Sequence, residues 1–334
     1  MRKSFFSTLD HHPNETGRSL ADVYQAAHKH ARLADHLGFS CFWLGEHHCL
    51  QNVGSVPNPA ILLSSLAQYT QNIRLGSAVA VLPMRDPILT AENYAMVDAL
   101  SGGRLNFGVG TGQVEEEYRS MGKDFNSRHA TFEQSLSTIL EYWSSQNGNY
   151  PDTENSTTSL NICPKSLPQE SSRSPVYVAT VSPEGAYKAG KNGYSILTIV
   201  SPASENLTNL QQVIAAHAKG KTESYLECTN TEVVVTVFAH AADTEQQALS
   251  TAAQCAPRFM PPLREAPDVE SVIKGMISRN TALFGTKEQI SAQLNHYREL
   301  GVEHINFLGN FGGMTEEQVS QSICLLSEVL KSSQ

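Results

Sequence analysis

Three side chains able to move protons, Glu46-His47-His48, follow directly on the apolar run Cys41-Phe42-Trp43-Leu44-Gly45. A neutral imidazole accepts or donates a proton near neutral pH, so His47, with Glu46 beside it, is a candidate acid/base residue. A histidine at a strand end also serves as a hydrogen-bonded structural residue, and that reading stays open at this point. Metal binding by Glu46 and His47 would need two or three ligands more, and the sequence offers no partner at ligand spacing.

Three further stretches carry ligand chemistry. Gly108-Val109-Gly110-Thr111-Gly112 would let a ligand approach the backbone closely, although glycines there are also turn formers, and no dinucleotide fingerprint accompanies them. Asn126-Ser127-Arg128 precedes a helical pattern, where an arginine fork and helix amides can grip a phosphate; an exposed surface arginine is the plain alternative. Thr180-Val181-Ser182-Pro183-Glu184-Gly185 offers a hydroxyl and backbone N–H groups to an anion, or a simple N-cap serine.

These residues need elements to hold them. Strands are predicted at 4–9, 39–44, 73–83, within 102–112 between a turn and a glycine-rich end, and at 176–180, 194–200, 232–240 and 304–308, with helices at 19–37, 58–70, 87–101, 132–142, 184–191, 204–218 and 287–300. Segment 144–174, rich in Ser, Asn, Thr and Pro, reads as a surface insertion, and 244–282 as helical excursions around Pro257, Pro261, Pro262 and Pro267. About eight strand–helix alternations favour a closed parallel barrel, an α/β fold of the (β/α)8 TIM-like type, over an open sheet. In such a barrel the side chains just beyond each strand face the ligand, which is where Glu46 and His47 stand. One domain spanning 1–334 is expected, with insertions near 144–174 and 244–282.

A net charge of −9, with no clustered Lys and Arg, argues against nucleic acid and for a small-molecule partner. The start of the chain turns polar by Ser7, too soon for a signal peptide, and no run of 18 apolar residues suggests a membrane span. Six cysteines without CxxC spacing read as reduced thiols of a cytoplasmic enzyme.

The combination of Trp43-Leu44-Gly45-Glu46-His47-His48, Asn58-Pro59, Arg74-Leu75-Gly76-Ser77-Ala78-Val79, Leu82-Pro83, Gly102-Gly103-Arg104-Leu105-Asn106-Phe107-Gly108 and Asn126-Ser127-Arg128 resembles the luciferase-like flavin monooxygenases. The likeness runs from the first strand to Gly309-Asn310-Phe311-Gly312-Gly313-Met314. It implies a (β/α)8 barrel, a homodimer, and reduced FMN that reacts with O2 to give a flavin C4a-peroxide. A separate flavin reductase would supply the reduced flavin, and a small organic substrate would be oxygenated.

By position, the resemblance makes His47, with Glu46 beside it, the flavin-side catalytic residue. It puts Ala78 and Val79 against the isoalloxazine ring, at a strand end that in relatives often holds a non-proline cis peptide. Arg128, Val181 and Ser182 fall around the FMN phosphate, with Gly110 and Thr111 on the adjoining strand end. The luminescent members have a reactive cysteine and then an arginine where this chain has Gly110 and Thr111, which argues against light emission and for loosely held flavin. Deazaflavin-dependent hydride transfer and non-catalytic flavin binding are the rival readings. Loops 10–18, 49–57, 144–174 and 257–282 are expected to wall the substrate pocket, with Phe6, Leu9, Met276 and Phe284 as lining or core residues.

Overall fold

Ser19 opens the first long helix, Leu20–His36, with a reciprocal cap in which its hydroxyl accepts from the Asp22 N–H and the Asp22 carboxylate accepts from the Ser19 N–H. Val23, Ala27, Ala31 and Ala34, spaced at three and four residues, turn one face of that helix into the core. The structure is a computed structural model that describes residues 1–49, 54–144, 176–226 and 230–330. The predicted insertion from 145 onward lies outside the described residues.

Ten strands follow one another as β1 (Arg2–Ser7), β2 (Cys41–Leu44), β3 (Arg74–Ser77), β4 (Ala80–Val81), β5 (Leu105–Gly110), β6 (Val176–Ala179), β7 (Ser195–Ile199), β8 (Val233–Ala241), β9 (Ala282–Gly285) and β10 (His304–Asn310). All their pairings are parallel. The order β1-β2-β3-β5-β6-β7-β8-β10 closes when β10 pairs back onto β1, giving the eight-stranded TIM barrel. Two strands are extra: β4 runs beside the end of β5, and β9 beside the last four residues of β8.

Alternation along each strand separates two cores. Phe5, Phe42, Leu44, Leu75, Phe107, Val235 and Phe307 pack outward against the helices. Trp43, Cys41, Tyr177, Leu197 and Val234 form the second cluster, with Phe6, Ala78 and Val79 against it. The Trp43 ring meets Tyr177 edge-on at 5.1 Å between centroids. It has room because residue 76 is a glycine: a Cβ there would stand 2.2 Å from Trp43 Cε3.

At the opposite, amino-terminal mouth, Glu232 gathers donors from three strands. Tyr177 OH donates to it at 2.6 Å, His304 Nδ1 lies 2.7 Å away, and Arg2 forms an ion pair with it. Ser4 Oγ meets the other His304 nitrogen at 2.6 Å. A buried carboxylate is tolerated when its oxygens are met in this way, so this end of the barrel is closed by polar bonds rather than opened to ligand.

The largest differences from the sequence reading are short elements. Residues 73–83 form β3, β4 and the 3-10 turn Leu82–Met84, interrupted by a cis peptide between Ala78 and Val79. The helix predicted at 132–142 begins at Arg128 and runs to Ser144. The short helix Glu115–Ser120, strand β9 and the helix Glu316–Glu328 were not expected. Between β8 and β9 lie the helices Glu245–Phe259 and Val269–Ser278.

Two buried histidines make stability depend on pH. His30, on the first long helix, and His240, near the end of β8, each have one ring nitrogen without a partner, and burial lowers both to about 4 from the ordinary 6.5. The unfolded chain therefore binds more protons than the folded one between pH 4 and 6.5. Stability contributed by their neutral forms is complete above pH 6.5 and falls as pH drops through that window, by about 1.4 kcal/mol per pH unit for each histidine. Urea unfolding at pH 7 and pH 5 checks this; His240→Gln should show the shallower fall, and an identical fall in the variant would contradict it.

Candidate active site

The turn after β2 carries the chain across the carboxyl end of the barrel. Gly45 N–H donates to Ser7 O at 3.4 Å and His47 N–H to Val56 O at 3.3 Å, which fixes the turn between β1 and the loop that follows. The Glu46 side chain is fully buried and receives four contacts. Arg85 Nε donates to its two oxygens at 2.9 and 3.0 Å, His48 Nε2 lies at 2.8 Å, and the Val81 N–H donates at 3.3 Å. Arg85 is steered there by the 3-10 turn that precedes it, and its Nη2 donates to Pro57 O at 2.8 Å.

Glu46 is thus committed to holding its neighbours, and His47 has a different partner. His47 Nδ1 sits 2.9 Å from Glu117 Oε1, the same oxygen that accepts from the His48 N–H at 3.0 Å. With the carboxylate as acceptor, Nδ1–H is the donor and Nε2 is left for proton exchange. Glu117 is 3% exposed and the His47 ring 25%, so the pair is anchored below and reachable above.

The cavity in front of this pair has a volume of about 330 Å³. Ala78 and Val79 stand on one side, Gly110, Thr111 and Glu117 on another, and Phe6, Leu197 and Ile199 add apolar surface. Gly110 has no room for a side chain, since a Cβ would lie 2.7 Å from Val79 Cγ2. Through Gly110, Thr111, Ala179 and Thr180 the cavity adjoins a second recess of about 280 Å³. That recess holds Ser182 and Gly185, at the start of the helix Pro183–Lys191, together with His129 and Lys188. Ser182 Oγ accepts from the Gly185 N–H at 3.1 Å, as an N-cap serine does.

Most of the residues expected from the sequence meet here. Glu46, His47, Ala78, Val79, Gly110, Thr111 and Val181 line the central cavity, while Ser182 lines the recess beside it. Arg128 lines neither: its guanidinium lies 3.8 Å above the Phe125 ring, and Phe125 packs edge-on against Tyr118. Tyr118, whose hydroxyl is pushed up to about 12 by burial, donates to Thr111 O, so Arg128 supports the loop that carries Thr111. Of the four lining or core candidates only Phe6 reaches the cavity; Leu9, Met276 and Phe284 are core. Sequence reading missed Arg85 and Glu117. A run of three acids, Glu115-Glu116-Glu117, ahead of Tyr118 was the available signal, but nothing local says which acid turns inward.

A closed parallel barrel whose polar pair sits at the carboxyl ends of its strands is the arrangement of a TIM-barrel active site. Within that class, the family model described as luciferase-like monooxygenase matches residues 1–304, and the chain belongs to the luciferase-like monooxygenase family. Limonene 1,2-monooxygenase of Rhodococcus erythropolis is 31% identical over 300 residues, which cover 84% of this chain and 74% of that protein. The oxygenase component of the flavin-dependent trigonelline monooxygenase of Acinetobacter baylyi is 27% identical over 254 residues, 74% of this chain and 67% of that one. The crystal structure of monooxygenase RslO1 from Streptomyces bottropensis shares the fold with a TM-score of 0.86 at 20% identity, covering 99% of this chain and 98% of the other.

Proposed function

We propose that the protein is a flavin-dependent monooxygenase that uses reduced FMN and O2 to oxygenate a small organic substrate. The observation that carries this reading is the His47–Glu117 pair at the edge of a largely apolar cavity, beside a recess at a helix N-terminus that holds His129 and Lys188. Reduced FMN, when bound, would supply the electrons for the reaction with oxygen. Ala78, Val79 and Gly110 would hold its ring, and the amides at the start of the helix Pro183–Lys191, Lys188 and His129 its phosphate. His47 would then hold or deliver a proton at Nε2, with Glu117 fixing the ring and Glu46–Arg85 fixing the turn beneath it. Phe6, Leu197 and Val79 would keep water from the reacting centre.

The relative named as an oxygenase component supports a separate reductase that delivers reduced FMN. Ile61, Leu89, Met96 and Leu100, all exposed on the helices Pro59–Ala67 and Pro87–Ser101, form an apolar face suited to a homodimer, which sedimentation tests. Among the described residues no helix is long and apolar enough to cross a membrane. Cys49, Cys255 and Cys324 are free thiols, as in a reducing compartment such as the cytoplasm, where the chain would act as one domain.

The decisive experiment mixes the protein, preloaded with reduced FMN under anaerobic conditions, with oxygenated buffer. A long-lived absorbance distinct from that of oxidised FMN is the expected result. Reoxidation at the rate of free flavin, together with tight deazaflavin binding, would instead indicate hydride transfer.

A further inference from the structure

Three recesses share lining residues with the central cavity, and the two on the side of Val181 and Ser182 differ in charge. The one beside Ser182 carries His129, Glu133, Glu184 and Lys188. The other, about 390 Å³, lies along the loop after β7, and none of the residues lining it is Asp, Glu, Lys, Arg or His. Its apolar wall includes Val181, Ile199, Val200, Pro202, Leu207 and Leu210. It adjoins the central cavity, with Gln113, Val181, Thr198 and Ile199 lining both.

Val181 and Ile199 are 43% and 40% exposed. Large apolar side chains left open inside a recess offer surface for a ligand to cover. Hydrogen bonds hold the recess in shape: from outside it Thr281 Oγ1 donates to Pro202 O at 3.2 Å and Arg279 Nε to Ser204 O at 3.1 Å, and within its wall Asn209 Nδ2 donates to Val181 O at 3.0 Å. In the central cavity the ionisable lining residues are Glu46, His47 and Glu117, each already engaged by a neighbour. An ionic ligand would lose hydration on entering the recess and meet no charged side chain on its wall.

Resting on the flavin reading above, we propose that the recess along the β7 loop is the substrate chamber, that it takes an uncharged and mainly apolar small molecule, and that Val181, Ile199 and Leu207 set its specificity. Val181 thereby belongs to the substrate side, while Ser182, next in sequence, stays on the cofactor side.

The test measures binding of 4-tert-butylcyclohexanone, 4-tert-butylcyclohexanecarboxylate and 4-tert-butylcyclohexylammonium to the full chain without flavin, by ligand-detected NMR, in wild type and in Leu207→Asp. Leu207 stands at a helix N-cap without a side-chain cap bond, a position where Asp is favoured, so the fold should hold. Should it not, Ser201→Asp places a charge on the same wall from an exposed site. The ketone is expected to bind at least about tenfold more tightly than either ion, and the introduced carboxylate to weaken it at least about fivefold, each tenfold step being about 1.4 kcal/mol. Equal binding of the carboxylate, a ketone affinity untouched by the variants, or no saturable binding of any probe overturns the assignment. A parallel FMN titration separates the two readings: loss of flavin binding with the charge pattern intact would count against the monooxygenase and leave the chamber's ligand class standing.

Discussion

Replacing His47 by alanine is expected to lower kcat for substrate oxygenation at least about 100-fold, the lower bound for losing a positioned acid or base. The melting temperature should fall only modestly, because the ring is a quarter exposed, Glu46 keeps Arg85 and His48, and Glu117 keeps the His48 N–H beside a space that opens to the cavity. Glu117→Gln retains an acceptor for the Nδ1–H and for the His48 N–H but removes the charge. A loss of about tenfold with a displaced pH profile is expected, the scale on which outer partners of a working histidine act. Glu117→Ala frees the ring and should approach the His47→Ala value. Superimposable pH profiles for wild type and Glu117→Gln would show that the pair has no part in the reaction, and full turnover by His47→Ala would show that the site lies elsewhere.

The second large effect is on stability. Arg85→Leu leaves the Glu46 carboxylate, fully buried, with His48 and one backbone N–H but without its cation. Breaking one side of a buried pair costs about 3–5 kcal/mol, whereas replacing both sides by apolar groups of similar volume is often close to neutral. Arg85→Leu should therefore lower the urea midpoint by an amount corresponding to several kcal/mol at unchanged slope, and Arg85→Leu with Glu46→Leu should recover most of it. If the double variant is as unstable as the single one, the buried charge is not the cause. The contrast with the His47 variants separates the two histidine neighbours, since Glu46 and Arg85 hold the turn while His47 and Glu117 meet the cavity.

What the sequence made legible was local. The order apolar strand, then Glu46-His47-His48, put the candidate site at a strand end, and the strand–helix alternation put that end at the ligand face of a barrel. The helices Leu20–His36 and Pro87–Ser101 were readable because caps and periodicity agree over many residues. Glu117 lies 70 residues from His47 and Arg85 39 from Glu46, and those pairings exist only once the strands are side by side. Four apolar residues at β9 carry no period by which a strand can be told from a buried helical turn. Arg128, expected from the resemblance to lie near the phosphate, has its guanidinium over the Phe125 ring, a contact that no local pattern announces.

Barrel closure has a consequence for the order of synthesis. β10 supplies the partner of both β1 and β8, with Arg2 set against His304 and Val234 against the same residue from the other side. Ser4 and His304, bonded in the finished protein, are 300 positions apart. A nascent chain that has not yet reached residue 304 carries two unpaired strand edges, one at each flank of an open sheet. Such edges invite pairing with another chain, and contacts of this sequence separation form slowly. Of the barrel's strands, β1 leaves the ribosome before the rest and is among the last to be completed.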